Sequence, residues 1–202
     1  MGINNVINGN SVYSFATGSM NYIDNNSSIA VGSCATATGS GSFSQGSGTS
    51  NNINVSSVNN NTITISTTIS HIYPGNTLYH LNDGTYLITD YDSNSKTITL
   101  NRQILIKNTN NWSIRQGPIA SGRSSHAEGA DTQATGSASH AEGSQTSATA
   151  SDAHAEGYLT KASGNYAHAE GHETQAQKNG SHAEGISTIT SAVGAHAEGE
   201  ST

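Results

Sequence analysis

Ser125-His126-Ala127-Glu128-Gly129-Ala130-Asp131-Thr132-Gln133-Ala134-Thr135-Gly136-Ser137-Ala138 is one turn of a repeat whose reading decides the fold. Its His-Ala-Glu-Gly core returns at His140, His154, His168, His182 and His196, fourteen residues on each time. A strict short period is the mark of a solenoid, in which each coil buries its face against the next. The residue before each His is Ser or Ala, and seven residues after that small residue stands a Thr, from Thr132 to Thr202. Each coil therefore divides into two seven-residue halves, and each half predicts one short strand. Alternate side chains of a strand point to opposite faces, so Ser125, Ala127 and Gly129 share one face while His126 and Glu128 share the other. A flat coil that closes in fourteen residues has room inside only for Ala, Ser, Thr and Gly. The paired His126/Glu128, His140/Glu142, His154/Glu156, His168/Glu170, His182/Glu184 and His196/Glu198 must then point outward.

The two halves treat their outward positions differently. In the second half these vary freely, as Gln133 and Thr135, Lys161 and Ser163, or Ile189 and Ser191, which is how a solvated face behaves. In the first half they are His and Glu every time, which calls for one demanding environment repeated at each level. The same frame runs near the amino terminus as Ser14-Phe15-Ala16-Thr17-Gly18, Ser28-Ile29-Ala30-Val31-Gly32 and Ser42-Phe43-Ser44-Gln45-Gly46. There the outward positions carry Phe15, Ile29, Val31 and Phe43, which on a monomer would form an exposed apolar stripe. The stripe predicts an interface with another chain.

Ser28-Ile29-Ala30-Val31-Gly32 resembles the NSVAIG-type repeat, and the HAEG coils its variant, of the YadA-like heads of trimeric autotransporter adhesins (Hep/Hag repeats). Similar repeats occur in phage tail fibres and other virion surface proteins. The resemblance covers residues 11–50 and 118–202. It implies a left-handed parallel β-roll, a homotrimer with the apolar and His/Glu positions at its axis, and a role in attachment. The expected location is extracellular, on a bacterial cell surface or a virion surface.

Composition agrees with a fibre segment. Of 202 residues, 32% are hydrophobic and 5% aromatic, too few for a large conventional core. Disorder is excluded by the period, which a disordered tract has no reason to keep. Burying small side chains yields only about 25 cal/mol per Å², against roughly 1–2 kcal/mol to order each residue's backbone, so a lone chain is expected to be marginal. A net charge of −7 with only seven Lys and Arg leaves no basic stripe for nucleic acid. No apolar run of eighteen residues offers a membrane span, and residues 1–20 lack the charged and apolar regions of a signal peptide. The single Cys34 falls at a coil turn and has no partner for an intrachain disulfide. The last coil stops half complete at Thr202, which reads as a piece of a longer fibre.

The frame breaks once. The coil begun at Ser42 should place its second half at Thr49, yet the next recognisable second half is Pro118-Ile119-Ala120-Ser121-Gly122, so about 69 residues are inserted. The expected divisions are N-terminal coils at 1–50, an inserted small β domain at 51–117 and C-terminal HAEG coils at 118–202. Alternating β-formers at Thr62–Ile65, Leu78–Leu81, Tyr86–Thr89, Thr97–Leu100 and Ile104–Ile106 are separated by turn signals such as Pro74-Gly75 and Asn82-Asp83-Gly84. They predict a small antiparallel barrel or sandwich of five or six strands that projects from the roll.

This insert holds the only Trp, Trp112, with Tyr73, Tyr79, Tyr86 and Tyr91. Such aromatics fill a small core, or some of them form a platform for the sugar rings of a surface glycan or receptor. Loop-borne modules on a rigid scaffold are where binding usually sits. The Asn-x-Ser/Thr triplets at Asn54, Asn60 and Asn111 are expected by chance in so Asn-rich a chain. Function is read as non-enzymatic attachment, with a polysaccharide-degrading spike as the alternative. Such a spike needs paired carboxylates in an irregular groove, whereas the Glu residues here are repeated and Asp83, Asp90 and Asp92 belong to turns. No catalytic residue, cofactor or metal is expected: His-x-Glu pairs are able to ligate metal, but six levels ~4.8 Å apart favour a hydrogen-bonded network. An interchain His-to-Glu bond is expected over a same-strand one, because bases two residues apart stand ~6.5–7 Å from each other. Such pairing would raise the imidazole pKa in the assembled state.

Overall fold

The computed structural model describes residues 4–8 and 11–202; these are all-β, with no helix. Two compact units result, one from the chain up to Ser47 together with Gly117 onward, the other from Gly48–Gln116.

In the first unit each coil lays down one five-residue and one two-residue strand. The five-residue strands Phe15–Ser19, Ile29–Ser33 and Phe43–Ser47 continue directly into His126–Ala130, and the stack runs on in parallel to His196–Glu200. The two-residue strands, among them Tyr22–Ile23, Thr36–Ala37, Ile119–Ala120 and Gln133–Ala134, form a second parallel sheet. Register does not slip across the interruption: His126 lies between Phe43 and His140, and Ile119 between Thr36 and Gln133. Ser42 and Ser125 are 83 positions apart; taking away the 69 residues of Gly48–Gln116 leaves fourteen, one coil.

The corners explain the seven-residue half-period. From Ser124 to Ser201 every seventh residue is left-handed, with φ between 53° and 66°. Gly180 and Gly194 take two of these corners, but bulky Leu159 and Tyr166 take others, in a region where such side chains are outliers. The last residue of each HAEG motif has a different reason to be Gly. Gly157 has φ +115°, and a Cβ on it would lie 2.1 Å from the carbonyl oxygen of Gly171 in the next coil. The coils stack at a distance that only a bare backbone allows.

Inside, Ala127, Ala141, Ala155, Ala169 and Ala183 form a fully buried column. Ser139 donates its hydroxyl to the Gly136 carbonyl at 2.7 Å, so this polar inward residue is satisfied within its own turn. The expectation that nothing larger than Thr fits inside fails at one level. Ile23 stands in the column of Ala37 and Ala120 and is fully buried, packed with Ala16, Ala30, Ala35 and Ala37, whose small side chains leave it the space.

The second unit is one antiparallel sheet of seven strands in the order Thr49–Ile53, Trp112–Gln116, Thr77–His80, Gly84–Asp92, Thr97–Leu100, Thr62–Ile65, Val55–Asn59. Its two edge strands are consecutive in the chain and joined by Asn54 alone, so the sheet must curl until its edges meet there. Ile53, Ile63, Leu78, Ile88, Ile98 and Trp112 fill the space it encloses. Thr49 pairs with Gln116, which brings the ends of the unit together. The stretch Ile104–Ile106, expected as a strand, is a loop: Asp83 accepts hydrogen bonds from the Leu105 and Ile106 amides, at 3.1 and 3.2 Å, that a neighbouring strand would otherwise take. Thr49–Ile53, Val55–Asn59 and Trp112–Gln116 are strands that the alternation of β-formers did not reveal.

Candidate functional site

The parallel register makes the outward face of the five-residue strands a set of straight columns. One column reads Phe15, Ile29, Phe43, then His126 through His196. The next reads Thr17, Val31, Gln45, then Glu128, Glu142, Glu156, Glu170, Glu184 and Glu198. The large apolar groups and the His/Glu pairs thus share one face of one sheet, and Phe15 stands 56% exposed at one end of it. A third outward column is small at Ala130 and Ser144 but becomes Tyr158, His172 and Ile186 further on, with Tyr158 stacked on His172 at 5.2 Å.

The imidazoles form a ladder. Ring centroids from His126 to His182 are 4.6–4.8 Å apart and nearly parallel over the first four rings; Phe43 meets His126 edge-on at 4.7 Å. Each Nε2 approaches the Glu two residues on in its own strand. The separations are 3.4 Å for His126–Glu128, 3.9 Å for His140–Glu142 and for His154–Glu156, 4.0 Å for His168–Glu170, 3.8 Å for His182–Glu184 and 4.0 Å for His196–Glu198. The approach is closer than the ~6.5–7 Å spacing of the side-chain bases suggests. Both side chains lean along the strand, and this closes the gap between their bases. Even so, at these separations and angles the approach is no hydrogen bond. The Nε2 atoms of His126, His140, His154, His168 and His182 are shielded from solvent and have no hydrogen-bond partner in the chain.

The expected polar network is therefore not closed within one chain, and the Glu column is where it fails. The side chains of Glu128, Glu142, Glu156, Glu170 and Glu184 are 43–50% exposed, and that of Glu198, on the last strand, is 71% exposed. None of the six is buried, and the imidazole beside each in its own strand stands too far to donate to it. A single chain thus leaves the acids in water and the ring nitrogens out of it.

Charge follows the same geometry. Desolvation, and then the charge of the preceding imidazole, hold His140 and His154 below the ordinary histidine range, against the opposing pull of the Glu column. The expected rise belongs to interchain pairing in an assembly; within one chain no carboxylate is hydrogen-bonded to these rings to offset their desolvation. Among the described residues no group of three or more His, Cys, Asp or Glu is placed to hold a metal ion. No helix among them is long and apolar enough to cross a membrane. Cys34 is buried and its sulfur is not in a disulfide.

The five aromatics of the second unit do not form an open platform. Trp112 and Tyr86 are core residues, 1% and 0% exposed, so neither presents an open ring face to solvent, although Trp112 also borders a pocket. Burial, with the hydrogen bond to Asp83, pushes the Tyr86 hydroxyl up to about 12, and Arg102 covers its ring at 3.8 Å. Arg115 covers Tyr79 at 4.3 Å, Tyr91 packs against the core, and Tyr73 engages His71 through its hydroxyl at 3.1 Å. Burial of large rings in a unit this small outweighs their use as a surface.

A different feature lies in the same unit, a pocket of about 230 Å³ bordered by Asn52, Asn54, Thr109, Asn110 and Asn111 over Ile53 and Trp112. The sequence held its signal in the pairs Asn51-Asn52 and Asn110-Asn111, which composition alone made look accidental. Compared with known protein families and with curated proteins, the chain matches none. What the fold defines is a β-solenoid of fourteen-residue coils carrying one constant outward face.

Proposed function

We propose that three copies of this chain assemble about one axis through the face that carries Phe15, Ile29, Val31, Phe43 and the His/Glu columns, as a non-enzymatic segment of an extracellular fibre. The observation that supports it is the set of five shielded Nε2 atoms with no hydrogen-bond partner in the chain, the nearest Glu standing 3.4–4.0 Å away. A buried polar group left unpaired costs about 1–3 kcal/mol, and a fold that repeats this five times in register needs its partners from outside the chain. Carboxylates of neighbouring chains supply them, with neutral imidazoles donating from Nε2; Glu142, Glu170 and Glu184, half-exposed in one chain, are free to turn to such a neighbour. Three is the number implied by the likeness of the repeats to YadA-like heads, which also implies a left-handed roll. Gly48–Gln116 is the inserted module that carries attachment to a cell or partner surface, borne on a bacterial or virion fibre.

Sedimentation of charged variants tests the interface. Ile29→Asp should abolish assembly by burying an unpaired ion between chains, while Gln133→Asp on the variable face should leave it intact. Equal behaviour of the two would remove the assignment of the face. Attachment is tested by joining Ser47 to Gly117, which keeps the fourteen-residue phase. The shortened chain should still assemble and should lose attachment to the target surface.

A further inference from the structure

The structure assigns the Asn-bordered pocket of the second unit as a binding site for a neutral sugar residue, an inference that rests on that unit being the attachment module and names the chemistry it would recognise. The pocket sits where the sheet's edges meet, between the strand Thr49–Ile53, the linking Asn54 and the loop before Trp112. Its border is four carboxamides and one hydroxyl, with no charged side chain.

Two features make this more than a polar dent. The first is that the backbone is held from behind. The Asn108 carboxamide oxygen accepts from the Asn110 amide at 3.2 Å and meets fully buried His80 at 3.1 Å, while its backbone carbonyl takes the Trp112 indole N–H at 2.9 Å. On the other wall the Asn54 carbonyl accepts from both the amide and the hydroxyl of Ser66, at 2.9 and 3.1 Å. Asn111 is set in the left-handed region at φ 62°, which a carboxamide tolerates better than most side chains. Frames supported in this way fix where the contact side chains are anchored before a ligand arrives.

The second feature is that the contact groups are uncommitted. The carboxamides of Asn52, Asn54, Asn110 and Asn111 take no part in the hydrogen bonds of the unit, as is also true of the exposed Asn59, Asn60, Asn82 and Asn94, whereas Asn51, Asn61, Asn76, Asn101 and Asn108 are used internally; only the first four line one pocket. A carboxamide offers two donors and an acceptor, so four of them match adjacent hydroxyls that each donate and accept. Absence of charge disfavours sialic or uronic acids. A site smaller than the roughly 300–1,000 Å³ of drug-sized ligand pockets fits a single ring, such as the terminal hexose or N-acetylhexosamine of a chain.

Trp112 is the only Trp and lines the pocket, so its fluorescence reports on this site and on the core directly beneath it. The full chain is titrated with galactose, glucose, N-acetylgalactosamine, N-acetylglucosamine and sialic acid. A saturable change is expected with at least one neutral sugar, weakened at least tenfold in Asn54→Ala and in Asn110→Ala but not in Asn51→Ala, which lies outside the pocket. Saturation with no neutral sugar, preference for sialic acid, or wild-type affinity in both pocket variants of retained fold overturns the site. Surface attachment is scored in parallel. Attachment that survives in Asn54→Ala/Asn110→Ala but vanishes without Gly48–Gln116 overturns this pocket while leaving the module's role standing, and attachment that survives the excision overturns the module's role instead.

Discussion

The two units of this chain solve folding in opposite ways. In the HAEG coils the interior is a column of fully buried Ala, and uniqueness comes from backbone register: identical residues pair level by level, and Gly157 must have no Cβ for the next coil to approach. In Gly48–Gln116 the interior is built from Trp112, Tyr86 and a set of isoleucines and leucines with no repeat in their spacing. The first unit is specified by what is missing from its side chains, the second by their volume. Substitutions should accordingly fail by different routes in the two.

The largest effect is expected from Gly157→Ala. It places a methyl against a carbonyl at 2.1 Å and imposes φ +115° on an L side chain, so the ladder should open at that level and assembly be lost, as seen by circular dichroism and sedimentation. In the second unit, Trp112→Ala should cost about 3–5 kcal/mol by cavity formation. That loss should stay local, with hydrogen exchange rising in Gly48–Gln116 while the amides of the HAEG strands remain protected. Equal loss in both units would show that the contrast is false.

Acid sharpens the comparison further. His140 and His154 have folded-state pKa values below 6.5, so the unfolded chain binds protons first as pH falls. Their contribution is fully present above about 6.5 and is lost as pH drops through that value toward the depressed ones. Where no carboxylate of a neighbouring chain meets these rings, the melting temperature of the first unit should therefore fall on mild acidification, and the fall should shrink in His140→Gln/His154→Gln. A rise instead would mean that charged His/Glu pairs dominate. The smallest effect is expected at a corner: Tyr166→Gly, at φ 60° where later coils use Gly180 and Gly194, should stabilise by roughly 0.5–1 kcal/mol, the relief of a left-handed side chain less the added freedom of the unfolded Gly. Calorimetry of the two proteins measures it.

The same contrast explains what was legible. The inward Ala and Ser, the outward His and Glu and the phase kept from Ser42 to Ser125 all follow from period, because in a solenoid one register repeats its consequences at every level. Side-chain reach does not repeat in the sequence, so the same-strand approach of His154 to Glu156 at 3.9 Å went unread. The half-exposure of Glu142, Glu170 and Glu184 was hidden for the same reason: an outward position fixes the face a carboxylate lies on, not how far it stands from its ring. In the second unit alternation revealed Thr62–Ile65 and Thr97–Leu100. It missed Thr49–Ile53, whose Thr, Ser and Asn lie mostly exposed at a sheet edge and carry no apolar alternation. Trp112 and Tyr86 are equally unreadable, since nothing local distinguishes an aromatic that fills a core from one that faces a ligand.

The central claim is that the outward face of the first unit is completed by other copies of the chain. Native mass measurement at neutral pH tests it most directly: the account predicts three times the 20.8 kDa of the chain, with dissociation and unfolding coincident. A species of 20.8 kDa that unfolds cooperatively, its imidazole nitrogens still without partners, would contradict it.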